Sequence, residues 1–256
     1  MSPTAALGDR LLRRGSKGRD VVDLQICLAG FRGTLPDGQF GSGTELQVMQ
    51  FQSDFLGLSD PSGEADAAVI DGILRLAAKY PLDFKALECP CGECGGFGQG
   101  RFLSRYRSKQ PRIEAYHRYE YPGIHRMILW AVRGAFSYIP HFEFVITSGY
   151  RCGIQNERKN RTSTNHHGKA VDIDIVRSPG DDKRDDMIRC DKVRSYLVEL
   201  ASAQIGWGAS NRKALEPSHI APTWVHYDVR CYERKYLKDD FFCRNRKELD
   251  LAIAHL

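Results

Sequence analysis

With 256 residues the chain can form one large domain or, more readily, a small and a medium domain, each with its own core. Its longest apolar runs, Ile128 to Val132 and Phe142 to Thr147, are far below the roughly 20 residues a membrane-spanning helix needs, so no membrane role is expected. The net charge of +5 is uneven, with eight Lys/Arg against ten Asp/Glu up to Pro81 and 29 against 22 beyond it; a solvated basic surface or an anionic polymer explains this better than nucleic acid, because no basic run carries interleaved aromatics.

The N-terminus lacks a basic segment followed by an apolar one, so no secretory signal is read there. The expectation is a protein made in the cytoplasm and delivered by another route if its substrate lies outside. Three amphipathic helices are predicted before Pro81. Val21, Leu24 and Leu28 recur at helical spacing after Gly15-Ser16-Lys17-Gly18, Val48, Phe51 and Phe55 after Gly41-Ser42-Gly43-Thr44, and Val69, Ile70, Ile73, Leu74 and Ala77 after Asp60-Pro61-Ser62-Gly63. Each helix alone is marginal in water, so together they should close a three-helix core with Leu46, Met49 and Leu56 filling between them. Residues 1–81 therefore read as a small helical domain and residues 82–256 as an α+β domain.

From Pro81 to Gly100 the chain reads as an irregular loop, and Arg101 to Pro111 as a polar, basic stretch. Cys89, Cys91 and Cys94 suit half of a structural zinc site, a disulfide set or a tight loop. Cys152, Cys190, Cys231 and Cys243 come singly, with Cys231 and Cys243 able to pair in an oxidising compartment. A helix is predicted from about Pro122 to Ser137, with Ile124, Met127, Ile128, Ala131 and Ala135 on one face. A strand over His141 to Thr147 should lead into Ser148-Gly149-Tyr150-Arg151. Ser178 to Arg189 reads as a charged, solvated loop and Asp191 to Ala203 as a helix burying Val193, Tyr196, Leu197 and Leu200. A last strand over Trp224 to Arg230 precedes a charged tail with one short helix.

The chemistry concentrates in Asn165-His166-His167-Gly168-Lys169-Ala170-Val171-Asp172-Ile173-Asp174. A histidine ending a loop and an aspartate on the next strand converge on a cation when a third ligand arrives from elsewhere. Trp224 to Arg230 supplies it: period-two alternation puts Trp224, His226, Asp228 and Arg230 on one face, as it does Ala170, Asp172 and Asp174 in the earlier strand.

Two resemblances follow from these residues. Gly18, Val22 and Leu24-Gln25, then Asp37-Gly38-Gln39-Phe40-Gly41-Ser42-Gly43-Thr44, then Val48-Met49-Gln50-Phe51-Gln52 resemble the type 1 peptidoglycan-binding family over roughly residues 8 to 80, implying a non-catalytic module that holds its enzyme on the cell wall. The glycines serve a turn and the threonine can cap the next helix.

Thr147-Ser148-Gly149-Tyr150-Arg151-Cys152 with Asn156, then Gly168-Lys169-Ala170-Val171-Asp172-Ile173, then Trp224 to Val229 resemble the M15 zinc peptidases, D-alanyl-D-alanine carboxypeptidases and endopeptidases that share a fold with the hedgehog signalling domain. The likeness covers about residues 82 to 235 and implies an α+β domain with a mostly antiparallel sheet. It also implies a Zn2+ ion on His166, Asp172 and His226. The family's metal histidine lies three residues before the glycine, where this chain has Asn165, so His167 with Asp174 stays open as a competing pair. The family's acidic base, three residues before the last histidine, is Thr223 here, which leaves Asp228, Glu216, His219 or Asp174 for that role. Arg151 is implied to hold a substrate carboxylate or the developing oxyanion, with Ser148 as a possible helper.

The expected function is thus hydrolysis of peptidoglycan stem peptides or cross-links in the periplasm or outside the cell, by a phage-type endolysin released by a holin or by an antibacterial toxin exported through a secretion system and matched by an immunity protein. The alternative is a non-catalytic wall-binding protein with a zinc-stabilised, peptidase-like fold.

Overall fold

The computed structural model describes residues 6–98, 101–102, 119–161, 163, 165–176, 180 and 182–250. Most of the expected basic stretch from Arg101 to Pro111 lies outside them, as do residues 177–179 and 181. The protein is α+β. Helices α1 (Arg19–Cys27), α2 (Ser42–Asp54) and α3 (Ala67–Lys79) come first, followed by the single turn α4 (Phe84–Leu87). Short strands β1 (Arg101–Phe102), β2 (Tyr119–Glu120) and β3 (Ile124–His125) lead into helix α5 (Arg126–Tyr138). Then come β4 (Phe144–Ser148), α6 (Gly153–Arg158), β5 (Ala170–Ile175) and α7 (Lys183–Glu199). The chain closes with β6 (Ala203–Ile205), β7 (Lys213–Leu215), β8 (Val225–Asp228), β9 (Phe242–Cys243) and α8 (Arg246–Leu249).

The principal sheet has the order β4-β5-β8-β7-β6, antiparallel except for the parallel pair β6 and β7. Among the described residues, no helix is long and apolar enough to cross a membrane.

The three N-terminal helices form around Val21, Leu24, Val48, Phe51, Val69, Ile73 and Leu76, all buried. Leu46 does not fill this core: it is 47% exposed, because two residues from Val48 it lies on the far side of α2, and Gln47 takes the inward position instead. Met49 and Leu56 are half-buried, against Gly63 and Gly72. Thr44 does not cap α2 either, since Gly41 is the cap residue. Thr44 and the Asp37–Gly38 turn instead surround the buried side chain of Gln25. Its amide donates to Asp37 Oδ1 at 2.9 Å, Gln39 O at 3.2 Å and Thr44 Oγ1 at 3.0 Å, while its carbonyl accepts from Gly38 N at 3.0 Å.

Helix α5 departs from the one-sided expectation: Arg126 to Ala135 are all buried, because the N-terminal helices cover one side and the sheet domain the other. Its two arginines are paired within this contact, Arg126 with Asp23 at 3.0 Å and Arg133 with Asp250 at 2.6 Å. Ile124 sits on β3, not on the helix. Helix α7 starts eight residues before the predicted Asp191, inside the stretch expected to be a loop. Asp182 and Asp185 form a capping box there, a polar start signal that hydrophobic periodicity misses. Val193 and Leu197 are buried, Tyr196 and Leu200 half-buried. Cys231 and Cys243 are both free thiols, their sulfurs turned to Trp207 O and Ile124 O respectively.

Two outcomes are expected. Gln25→Ala strands the Gly38 N–H and costs about 1–3 kcal/mol in urea unfolding. Lys213 is fully buried, its amine 3.4 Å from Ala29 O, and burial lowers its pKa from 10.5 to about 7. The unfolded chain therefore binds the extra proton between those values, and stability rises with pH across that window. Lys213→Met should raise Tm at pH 6 by about 5 °C or more, with the gain vanishing by about pH 10 in pH-resolved thermal scans.

Candidate metal centre

Strand β5 runs between β4 and β8, and its register puts Asp172 opposite Ser148 on one side and His226 on the other. His166 arrives from the turn just before β5. Three consecutive carbonyls of that turn are pinned by backbone N–H groups: His166 O by Arg151 at 2.8 Å, His167 O by Tyr121 at 3.0 Å and Gly168 O by His125 at 2.9 Å. Gly168 has φ +106°, and a Cβ there would lie 2.4 Å from Gly123 O, so the turn admits only glycine.

Within this frame the two histidines part company. His166 turns toward Asp172 and His226, and the ligand atoms of the three lie within 4.8 Å of one another. His167 is buried on the other side, its Nε2 3.1 Å from the Asn156 amide nitrogen, and burial holds its pKa down at about 3. Asp174, on the same face of β5 as Asp172, instead clusters with Asp186 and Cys190.

The protonation pattern follows from the partners. His166 Nδ1 lies 2.7 Å from Gly149 O, an acceptor only, so that nitrogen carries the hydrogen and donates. Its Nε2 is then a bare lone pair, buried without a hydrogen bond and 3.4 Å from Asp172 Oδ2. Burial lowers the His166 pKa against the pull of Asp172, which keeps the ring neutral. His226 is held between two carboxylates, Nδ1 at 2.7 Å from Asp172 Oδ1 and Nε2 at 2.9 Å from Asp228 Oδ2. Burial opposes its charge, but the two carboxylates win and raise its pKa to about 9. Asp172 is pushed well below the carboxylate range in spite of its burial, by the hydrogen bond from His226 and the closeness of both imidazoles.

Lone pairs of a neutral imidazole and a carboxylate facing each other in a buried pocket need a positive charge between them. The donor set of two imidazoles and one carboxylate suits a divalent metal with one position left open.

Other predicted residues sit around this centre. Asp228 is fully buried behind His226, bonded to it and to the Arg230 guanidinium. Glu216 is next to His226 across the sheet, its N–H donating to His226 O at 3.3 Å, and its carboxylate is 3.9 Å from Arg230 and partly open to solvent. His219 is on an exposed turn. Arg151 follows Tyr150 on the turn beyond β4, close enough that its charge, after burial, helps hold down the pKa of both His166 and His167. Ser148 Oγ is 3.5 Å from His166 Nδ1.

Arg230 was given no role by the sequence, although alternation placed it on the face of His226 and Asp228. It anchors Asp228, stacks over the Trp207 ring at 4.4 Å, and meets the side-chain oxygen of Asn165 at 2.6 Å when that amide faces it. A second group of metal-capable side chains, Cys89, Cys91, Cys94 and Cys152, lies buried on the far side of the Ser148 to Arg151 turn. Cys152, read as a single cysteine, is its fourth member; the turn preceding α6 brings it to the other three.

The sequence pattern of the peptidoglycan-binding domain family matches residues 17–71, the segment that holds Gln25, α1, α2 and the start of α3. That match supports association of the chain with the cell wall and peptidoglycan as its partner. A comparison with curated proteins found no match.

In metal-free protein, His226 should keep its second proton up to about pH 9. Because this pKa lies above the unfolded value of 6.5, the stabilisation is complete below pH 6.5 and is lost as pH rises through about 9. Asp228→Asn should bring the titration down by a unit or more, on the scale of lost carboxylate pairings, about 1–3, as followed by NMR of the ring protons.

Proposed function

We propose that the protein is a zinc peptidase that hydrolyses peptide bonds of peptidoglycan, with the N-terminal helices raising its concentration on the wall. The observation that carries this reading is the convergence of His166, Asp172 and His226 with the bare, buried Nε2 of His166 aimed into the space between them. The resemblance of the Ser148 to Cys152, Gly168 to Ile173 and Trp224 to Val229 segments to the M15 peptidases supports the same chemistry. The peptidoglycan-binding match supports the cell wall as the place of its substrate.

His166, through Nε2, Asp172 and His226, through Nδ1, would hold the ion. Zinc in such a site lowers the pKa of a water at its open position and polarises the scissile carbonyl. The remaining work falls to side chains of this chain. Gly149 O and Asp228 orient the two imidazoles through their other ring nitrogens, the arrangement that fixes tautomer and ligand basicity. Asp228 is thereby committed to His226 and Arg230, shut away from solvent, so it orients and does not shuttle protons.

Glu216 is the base in this reading, because it is the predicted carboxylate that is both adjacent to His226 and partly solvent-accessible. It takes a proton from the attacking water as the new C–O bond forms, then hands it to the departing amine as the C–N bond breaks. Arg151 supplies a fixed guanidinium for the terminal carboxylate of a stem peptide or for the oxyanion.

Purified sacculi digested with the zinc-loaded protein should release shortened or uncross-linked muropeptides by mass spectrometry, and a chelator should abolish the release. Unchanged muropeptides at full zinc loading would overturn the reading. Glu216→Gln should keep its zinc and lower kcat by about 10²–10⁴-fold. A similar loss of zinc and activity in His167→Ala as in His166→Ala would refute the ligand assignment.

A further inference from the structure

The sulfurs of Cys89, Cys91, Cys94 and Cys152 are all buried and lie within 4.8 Å of one another, outside the histidine and aspartate centre. We infer that these four cysteines bind a second, structural zinc ion that staples the Cys89 to Cys94 loop to the Ser148 to Cys152 turn.

Three observations carry this. First, the sulfur–sulfur distances fit the edges of a tetrahedron about a metal. Cys152 Sγ is 3.7 Å from Cys89 Sγ and 3.6 Å from Cys91 Sγ. A zinc–sulfur bond of about 2.3 Å gives a tetrahedral edge of about 3.8 Å, whereas a disulfide needs about 2.05 Å. Second, backbone N–H groups point at the sulfurs as they do at thiolates: Glu93 N and Cys94 N at Cys91 Sγ, both at 3.3 Å, and Cys152 N at Cys89 Sγ at 3.4 Å. Such donors stabilise negative sulfur and would be poorly used on neutral thiols. Third, the loop is closed around the cluster by Cys89 N to Gly96 O at 2.7 Å and by Arg158 Nη1 to Cys91 O at 2.7 Å. Among common divalent ions, an all-sulfur donor set of four buried cysteines selects zinc.

The position of the cluster indicates what it does. Cys152 directly follows Arg151, and the turn packs against the end of α4, two residues before Cys89: Tyr150 N donates to Leu87 O at 2.8 Å, and a Cβ on Gly149 would come within 2.4 Å of the Leu87 backbone. Gly149 O is in turn the acceptor that orients His166. The thiolate site therefore acts as a positioning device for Gly149 and Arg151, and its occupancy does not depend on whether the other centre is catalytic.

Titration of the thiolates of the full chain, purified without added metal, with an organomercurial should release one zinc ion, read with a chromogenic chelator. The cobalt-substituted protein should show sulfur-to-cobalt charge-transfer absorption in the near ultraviolet, retained in His226→Ala and lost in Cys94→Ser. Hydrogen exchange at Gly149 to Cys152 should rise when the mercurial is added. If Cys94→Ser does not fold, the mercurial and cobalt measurements on the unmodified chain decide. Four thiols that react as free groups without metal release, a disulfide among them, iron absorption in place of zinc, or unchanged exchange on mercurial addition would each overturn the assignment. These readouts report sulfur ligation alone, so they stand or fall separately from muropeptide release.

Discussion

The arrangement around Asp172 is the constraint on which the site depends. A carboxylate between two imidazoles, in a position where water is largely excluded, is tolerable only if positive charge sits among the lone pairs. In metal-free protein the second proton of His226 supplies it, shared between Asp172 and Asp228. A divalent ion would supply it on both sides of Asp172 at once, because His166 then has something to coordinate. The hydrogen bonds behind the ligands, from His166 to Gly149 O and from His226 to Asp228, leave the forward-facing nitrogens as the ones available. Arg230 completes the balance by neutralising Asp228 from the rear, so that the negative charge felt at the centre is chiefly that of Asp172.

The scaffold holds this geometry through backbone pairing. His226 and Ser148 flank Asp172 by strand register, and a shift of one residue in either ladder would turn one of them to the opposite face. The His166 turn has no register of its own, and its three pinned carbonyls perform that duty, reaching to Arg151, Tyr121 and His125. His125 in turn pairs β3 with β9 and stacks on Phe241, so the short second ladder, far from the ligands in sequence, supports the turn that carries one of them.

Buried polar groups also join the two halves of the chain. Asp23 on α1 meets Arg126 on α5, Arg133 donates to Tyr80 O at 3.2 Å, and Lys213 on β7 lies against the carbonyl of Ala29. Gln25 has the same character inside the helical bundle, where one side chain satisfies the turn that gives the wall-binding motif its Asp-Gly signature. The motif is thus legible as a packing requirement: the Gly38 N–H, the Asp37 carboxylate and the Thr44 hydroxyl are written into the sequence because one buried amide needs all three.

Periodicity alone determined the three N-terminal helices, the strands at β4, β5 and β8, and the common face of Asp172 and Asp174, since apolar spacing reports which side of a local element is inward. It also placed His226, Asp228 and Arg230 together. It missed the start of α7, where Asp182 and Asp185 carry the signal in polar side chains, and the burial of α5 on all sides, which depends on both halves of the chain packing against it. The separation of His166 from His167 belonged to tertiary structure, because adjacent residues in a turn have no repeating face and only the pinned carbonyls determine which ring points at Asp172. The joining of Cys152 to Cys89, Cys91 and Cys94 belonged there too: their separation in sequence holds no information about a meeting made by the fold.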